Sequence, residues 1–187
     1  VLNSLSAPEL TTISGSLSLY KNDGLETLSL PKLATAGTIW IKYSPAFTGI
    51  TLPVLTSAAL LVNSNVELSS LSFPELISAA FIRIDSNTKL ASISLPKLTT
   101  IVPDEAAIEW ILAEEHFGDP NRGLRVVGNS ALVSLSLDEL TSANGLLVRE
   151  NVALTTLSLA KLSTIVRVLE EEGYVPTQYY DGDFSIN

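Results

Sequence analysis

Hydrophobic and polar residues alternate along most of this chain within a phrase that recurs. Leu5-Ser6-Ala7-Pro8-Glu9-Leu10 returns as Leu28-Ser29-Leu30-Pro31-Lys32-Leu33 and then five more times. Successive copies start 23, 22, 21, 22, 42 and 22 residues apart. A period in this range is typical of a stacked solenoid. The one double spacing predicts an insertion of about one extra period in the fifth repeat.

A second phrase with period two, G-x-L-x-I-x-x-N, follows the first in each repeat, as at Gly15 to Asn22. Alternation of this kind predicts strands, whose inward residues fall into two columns. The first column is Leu17, Ile39, Leu60, Ile82, Leu124, Leu146 and Phe184, and the second is Leu19, Ile41, Val62, Ile84, Val126, Val148 and Ile186. The chain is therefore predicted to be an all-β dominated parallel β-solenoid of about seven 22-residue coils, a single domain over residues 1–187, with one short helical insertion.

Two further columns fix the corners of the predicted coil. Asparagine occupies one position in five repeats, at Asn22, Asn65, Asn87, Asn129 and Asn151, with Ser44 as the exception. Such a stack of amides is expected to form a structural hydrogen-bonded ladder. Proline occupies another position at Pro8, Pro31, Pro53, Pro74 and Pro96, and is expected to mark a bend because it donates no backbone hydrogen bond.

Composition narrows the classes of function. The chain is 46% hydrophobic, yet the apolar residues alternate with serine and threonine and never run long enough to cross a bilayer, so no membrane insertion is expected. A net charge of −9 with 11 lysines and arginines makes nucleic acid a poor partner. Cysteine is absent, which excludes disulfides, thiol nucleophiles and cysteine metal sites. The chain begins inside a repeat, so we expect a mature or excised product.

The phrases S-L-S-L-P-K-L-T-T-I, G-x-L-x-I and N-x-x-L together resemble the receptor L domain and the related repeats of fungal cell-wall surface proteins. Leucine-rich surface proteins of bacteria carry similar phrases. The resemblance covers nearly all of the chain outside two insertions, and it implies an extracellular β-solenoid. The cysteine-rich modules that often accompany receptor L domains are missing, which argues against a growth-factor-receptor role.

The outward positions of the first phrase are expected to form a regular hydroxyl grid. Its members are Ser4, Ser6, Thr27, Ser29, Thr51, Ser70, Ser72, Ser92, Ser94, Ser134, Ser136, Thr156 and Ser158, with Gly49 as the exception. Threonine grids on flat β-solenoids are similar to the faces of ice-binding proteins. Most of these positions hold serine, which lacks the methyl group with which the threonines of an ice-binding face order water. The other interpretation is small residues on a solvated strand face.

The residue between proline and leucine alternates in charge from coil to coil, through Glu9, Lys32, Val54, Glu75, Lys97, Glu139 and Lys161. Opposite charges on neighbouring strands stabilise register and favour solubility. A head-to-tail neighbour would continue this alternation from Lys161 to Glu9. Val1, Leu2, Phe184 and Ile186 belong to end coils that nearly complete each other, so end-to-end self-association is one prediction. Missing flanking repeats or caps are the alternative.

Two insertions are predicted to leave the same corner of coils five and seven. Residues 103–121 are expected to form a helix with Ile108, Ile111 and Leu112 on one face, and residues 167–183 a loop. Together they hold 11 of the 20 acidic residues. Their aromatic residues are the predicted contacts for a ligand or partner: Trp110, Phe117, Tyr174, Tyr179 and Tyr180. Trp110 and Phe117 are alternatively explained as anchors that hold the helix on the solenoid.

The same insertions offer little sign of chemistry. Asp181 and Asp183 match the spacing of no defined calcium loop, and His116 has no second histidine beside it. The strand faces carry hydroxyls and scattered single charges rather than clustered carboxylates, so no catalytic residue, metal or cofactor is predicted and an enzyme is not expected.

The sequence therefore predicts a non-enzymatic, extracellular or cell-surface structural repeat protein that self-associates end to end into a filament or surface layer. Its main expected partner is a second copy of itself. The alternative is a carbohydrate-binding or adhesion module that contacts surface glycans or another surface protein through the insertions. Ice binding through the serine and threonine face is the third hypothesis.

Overall fold

A computed structural model of the chain describes residues 1–102 and 123–165 and the backbone of a final strand at residues 184–186. The described residues form parallel strands and contain no helix. The strands are β1 Ser4–Ser6, β2 Thr12–Tyr20, β3 Thr27–Ser29, β4 Thr35–Lys42, β5 Gly49–Thr51, β6 Ser57–Asn63, β7 Ser70–Ser72, β8 Ser78–Ala79, β9 Ile82–Asp85, β10 Ser92–Ser94, β11 Thr100–Ile101, β12 Leu124–Val127, β13 Ser134–Ser136, β14 Ser142–Ala143, β15 Leu146–Arg149, β16 Thr156–Ser158, β17 Thr164–Ile165 and β18 Phe184–Ile186.

The first phrase of each repeat forms a three-residue strand, and these seven strands number the coils from 1 to 7: β1, β3, β5, β7, β10, β13 and β16. They stack in parallel, with Leu5 opposite Leu28 and Ile93 opposite Leu71. The stack divides into a three-stranded sheet, β1-β3-β5, and a four-stranded sheet, β7-β10-β13-β16. Coils 1 to 7 make about six turns of a β-solenoid, which confirms the predicted fold class.

The second phrase forms one continuous sheet of 11 strands on the opposite side of the coil. Its register confirms both predicted inward columns, since Leu17 lies opposite Ile39, Ile39 opposite Leu60, and so on through Phe184. Parallel strands can pair in this way because each coil places the same residue about 4.8 Å from its counterpart in the next coil.

The hydrophobic core lies between the two sides and runs the length of the stack. Leu28, Ile39 and Leu60 are each 1% exposed or less, as are the large side chains of Phe47 and Phe73. Fully burying one side chain of this size contributes about 1.5 to 3 kcal/mol, so the columns supply most of the folding energy.

Each coil turns at two hydrogen-bonded corners. At the proline corner the amide of Leu33 donates to the carbonyl of Leu30 at 3.1 Å, and the same bond recurs in the other six coils. Proline occupies the second position of this turn, where its fixed φ is favourable, and Asp138 and Ala160 replace it in coils 6 and 7. The prediction that proline marks the bend is confirmed.

At the other corner the asparagine column forms the predicted ladder. The side-chain oxygen of Asn87 accepts the backbone amide of Asn65 at 3.0 Å, and the side-chain nitrogen of Asn87 donates to Val62 of the preceding coil at 3.0 Å. The residue before each ladder position has positive φ, from 53° to 68°. The ladder thereby holds five non-glycine residues in the left-handed region, which ordinarily costs about 1 kcal/mol or more each.

The connection between the two halves of the second-phrase sheet varies in length and receives both insertions. In coils 4 and 6 two residues join the halves, Ala80-Phe81 and Asn144-Gly145. In coil 5 the chain leaves after β11 and returns at β12, and in coil 7 it leaves after β17 and returns at β18. Strands β11 and β17 both pair with β14 of coil 6, and β12 and β18 both pair with β15, so the two departures and the two returns lie two strands apart. The predicted helix at 103–121 and loop at 167–183 lie outside the described residues.

Candidate interaction surfaces

The two ends of the stack keep strands that pair on one side only. At the N-terminal end β1 pairs with β3 and β2 with β4; at the C-terminal end β16, β17 and β18 each have one partner among the described strands. Leu17 and Leu157 are half-buried there, whereas Ile39 and Leu135 in the interior are 0% and 1% exposed. Val1 is fully exposed and Leu2 is 50% exposed. The ends of the described stack therefore present partly exposed apolar side chains on strands with one described neighbour.

The predicted hydroxyl grid is present on the first-phrase strands. Ser70, Ser92, Ser134 and Thr156 are in register and exposed, and Ser72, Ser94 and Ser136 form the neighbouring exposed row. The strand pairing beneath the grid is interrupted between β5 and β7, so the grid lies on a three-stranded and a four-stranded sheet.

The alternating charges form ion pairs between neighbouring coils, as predicted. Lys32 lies 2.7 Å from Glu9, Lys97 lies 2.7 Å from Glu75, and Lys161 lies 2.7 Å from Glu139. A fourth exposed pair, Lys89 with Glu67 at 2.6 Å, stands outside this row. Exposed pairs of this kind contribute about 0.2 to 1 kcal/mol each, so they tune register more than total stability.

Hydrogen bonds displace the pKa of the Asp138 carboxylate. The hydroxyls of Ser136, at 2.6 Å, and of Ser158 donate to it, and these hydrogen bonds lower the pKa of the Asp138 carboxyl below 3.8. Asp138 stands at the proline corner and joins coil 6 to coil 7. Its arrangement is that of a turn-stabilising side chain rather than an acid or base held ready for catalysis.

An aromatic and cationic cluster that sequence reasoning missed lies on coils 1 and 2. The rings of Tyr20 and Tyr43 meet edge to face with centroids 5.7 Å apart, and they are 52% and 44% exposed. The ammonium of Lys21 lies 5.1 Å from the Tyr20 ring centroid, and that of Lys42 lies 5.7 Å from the Tyr43 centroid. The two tyrosines occupy adjacent rather than equivalent positions of the repeat, since Tyr20 lies opposite Lys42, and they therefore form no column in the sequence.

The outer face of the second-phrase sheet is the other unexpected surface. Alternate residues of β6 point away from the core, yet Ala59 and Leu61 are 2% and 3% exposed. Phe81, at 5% exposed, packs with them, and Trp40 and Ala80 lie against the group. Cationic side chains continue along this face, where Arg83 lies in register with Arg125.

Most of the site residues predicted from sequence fall where the structure gives no description. Trp110, Phe117, Tyr174, Tyr179 and Tyr180 lie outside the described residues, as do His116, Asp181 and Asp183. Phe184 and Ile186 are described as backbone only, in β18 beside β15. Val1, Leu2 and Glu9 lie in or beside coil 1 and Lys161 lies in coil 7, and their role in self-association stays a prediction.

Among residues 1–102 and 123–165 there is no group of three or more acidic or histidine side chains that could hold a metal ion. The same residues contain no helix long and apolar enough to cross a membrane. Comparison with known proteins found no match to any protein-family model, to any curated protein or to any solved structure.

Proposed function

We propose that this chain is a non-enzymatic structural repeat protein of the cell surface or extracellular space that stacks head to tail with copies of itself. The observation that carries the proposal is a half-buried apolar column at each end of the described stack, on strands that pair with one described neighbour each. Adding a coil of a second copy would bury Leu17 and Leu157 as their interior counterparts are buried. Contacts that repeat from head to tail without closing produce filaments.

The alternating charges at the position between proline and leucine would orient two copies of the chain at such a junction. Glu9 and Lys161 are the terminal members of the row, and each already bonds its neighbour inside the chain. A second copy stacked in register places Glu9 of one chain beyond Lys161 of the other, so the alternation of charge continues. Like charges at the same place would oppose the contact.

Stacking is tested by sedimentation velocity and electron microscopy over a range of concentrations at low salt. We expect rods that lengthen with concentration, with an axial repeat of roughly 34 Å for seven coils at the spacing of paired strands. Glu9→Lys is expected to weaken association about two- to fivefold, because it replaces an attraction at the junction by a repulsion. Adding Lys161→Glu restores the attraction and the affinity.

Glu75→Lys is the matched control, since it breaks an equivalent ion pair in the interior of the stack. It should leave association unchanged. A chain that stays monomeric at every concentration contradicts the proposal, and so does equal weakening by Glu9→Lys and Glu75→Lys.

A second candidate function is carbohydrate binding or adhesion, and the Tyr20–Tyr43 cluster favours it. Exposed tyrosine rings stack on sugar rings, and the lysines beside them suit glycans that carry carboxylate or phosphate groups. The aromatic residues of the two insertions remain further predicted contacts for the same function.

Glycan-array binding by the intact chain tests this candidate. We expect Tyr20→Ala to lose about three- to tenfold in affinity for a bound acidic glycan, because an aromatic contact is removed, and Tyr20→Phe to keep it. Binding to no glycan, or binding that Tyr20→Ala leaves unchanged, would place recognition elsewhere.

A further inference from the structure

The aromatic and cationic cluster on coils 1 and 2 has two unlike halves. In coil 1 the order along the chain is Tyr20-Lys21, and in coil 2 it is reversed, Lys42-Tyr43. Tyr20 lies opposite Lys42 on the paired strands, so Tyr43 stands one residue further along the neighbouring coil. The two rings nevertheless meet edge to face, with centroids 5.7 Å apart. Each tyrosine therefore has its own lysine, and the two lysines are placed differently.

The coil 1 half presents a positive charge to solvent. Lys21 is exposed, and its ammonium lies 5.1 Å from the centroid of the Tyr20 ring. It forms no ion pair with any residue that the structure describes. Contact with the ring holds the ammonium in place without neutralising its charge. An anion that approaches the exposed side of Tyr20 therefore meets a cation already positioned beside it.

The coil 2 half presents an aromatic ring whose neighbouring cation is engaged within the protein. Lys42 is half-buried, and its ammonium lies 5.7 Å from the ring centroids of both Trp40 and Tyr43. The backbone of Tyr43 is also fixed, since its amide donates to the carbonyl of Asn63 at 3.1 Å. The Tyr43 side chain is still 44% exposed. A ring held in this way loses little conformational freedom when it contacts a ligand.

We infer that the cluster is a site with two subsites, one for an acidic sugar and one for an uncharged sugar joined to it. The inference rests on the carbohydrate-binding function proposed above. The acidic unit lies on Tyr20 with its anionic group at Lys21, and the uncharged unit lies on Tyr43. Tyrosine rings pack against the apolar faces of sugars of either kind, and the ammonium adds attraction for a carboxylate, sulfate or phosphate group. The spacing of the rings is comparable with the length of one sugar unit, so neighbouring units can reach both.

Titration of the intact chain, followed by nuclear magnetic resonance, tests the two subsites with three probes. They are glucuronic acid, N-acetylglucosamine and the disaccharide in which these two sugars are joined. We expect the disaccharide to bind at least about tenfold more tightly than either monosaccharide, because two linked contacts share one loss of translational and rotational freedom.

Substitutions separate the subsites. Lys21→Gln is expected to weaken binding of glucuronic acid and of the disaccharide about two- to fivefold, the effect of losing an exposed ion pair, and to leave N-acetylglucosamine unaffected. Lys21→Arg keeps the charge and should keep the affinity. Tyr43→Ala should weaken the disaccharide about three- to tenfold and leave glucuronic acid unaffected, because only the uncharged unit contacts Tyr43.

Lys89→Gln is the matched control, since it makes the same change of charge at an exposed lysine between coils 4 and 5. It should leave binding of all three probes unchanged. Circular dichroism of each variant establishes that the solenoid is intact.

The outcomes distinguish this inference from carbohydrate binding in general. Equal affinities for the disaccharide and glucuronic acid overturn the second subsite while carbohydrate binding stands. Equal weakening of glucuronic acid and N-acetylglucosamine by Lys21→Gln, or the same loss from Lys89→Gln, overturns the assignment of the acidic unit to Lys21. Absence of binding by all three probes overturns the inference as a whole, and the glycan array then decides separately whether the chain binds carbohydrate.

Discussion

Replacing Asn87 with alanine is expected to lower the free energy of unfolding by about 2 to 5 kcal/mol, because two buried backbone groups lose their partners. Asn87 is fully buried and stands in the middle of the ladder. Its oxygen accepts the amide of Asn65 at 3.0 Å, and its nitrogen donates to Val62 at 3.0 Å and to Asp85 at 3.1 Å. Water cannot replace these bonds inside the stack.

The first and second ladder positions, Asn22 and Ser44, provide the comparisons. Asn22 is half-buried, and its side chain donates only to Tyr20, at 3.4 Å, so Asn22→Ala should cost well under half as much as Asn87→Ala. Asn87→Ser should fall between them, since Ser44 occupies the equivalent position and accepts one amide at 3.4 Å. Urea unfolding followed by circular dichroism measures all three. Equal costs for Asn22→Ala and Asn87→Ala would show that the ladder does not act as a buried network.

Replacing Phe73 with alanine should cost about 3 to 5 kcal/mol, the range for removing a fully buried phenylalanine and leaving a cavity. Phe73 is 0% exposed and lies in coil 4, next to the break in the first-phrase sheet. Strand β7 pairs with β10 of coil 5, so closure of the cavity would have to come from the coil 3 side.

Phe73→Leu separates the loss of volume from the loss of a ring, because leucine stands at the same position in coils 2, 3, 5 and 6, at Leu30, Leu52, Leu95 and Leu137. We expect a cost of about 1 kcal/mol or less from this near-conservative change. Urea midpoints with unchanged slopes would establish both values. A small effect of Phe73→Ala would mean that coils 3 and 4 can close on each other.

The register of the second-phrase sheet was predictable because two independent signals agree. Alternation assigns Leu60 and Val62 to one side, and the repeat spacing then places each of them beside its counterpart in the next coil. A slip of one residue would turn the whole column outward, so a single arrangement satisfies the pattern. The ladder followed from Asn65 and Asn87 for the same reason.

The break between β5 and β7 could not be predicted from that pattern. Their first-phrase copies, at Ile50 and Leu71, are separated by 21 residues, the shortest spacing in the chain, yet the inward residues keep their alternation. The alternation shows which side of a strand each residue faces. It carries no information about how far that strand lies from the next one along the solenoid axis. Whether two edges come close enough to bond depends on the corners between them.

The surfaces were harder to predict than the core, because outward positions obey fewer constraints. Tyr20 and Tyr43 do not share a row, so no column revealed them, although Tyr43 is brought beside Tyr20 by its left-handed backbone. Leu61 lies between the inward residues Leu60 and Val62 and so on the outward side of β6, yet it is only 3% exposed. Its burial depends on a cover that alternation within the strands does not encode.

The missing pairing between β5 and β7 also affects how the solenoid responds to mechanical force. In a linear array stability is close to a sum of nearest-neighbour couplings, and unfolding spreads from the weakest of them. Coils 3 and 4 are coupled through the 11-stranded sheet and the core but not through a first-phrase ladder. We therefore expect unfolding under tension along the axis to begin between coils 3 and 4, where Thr51 and Ser70 belong to different first-phrase sheets.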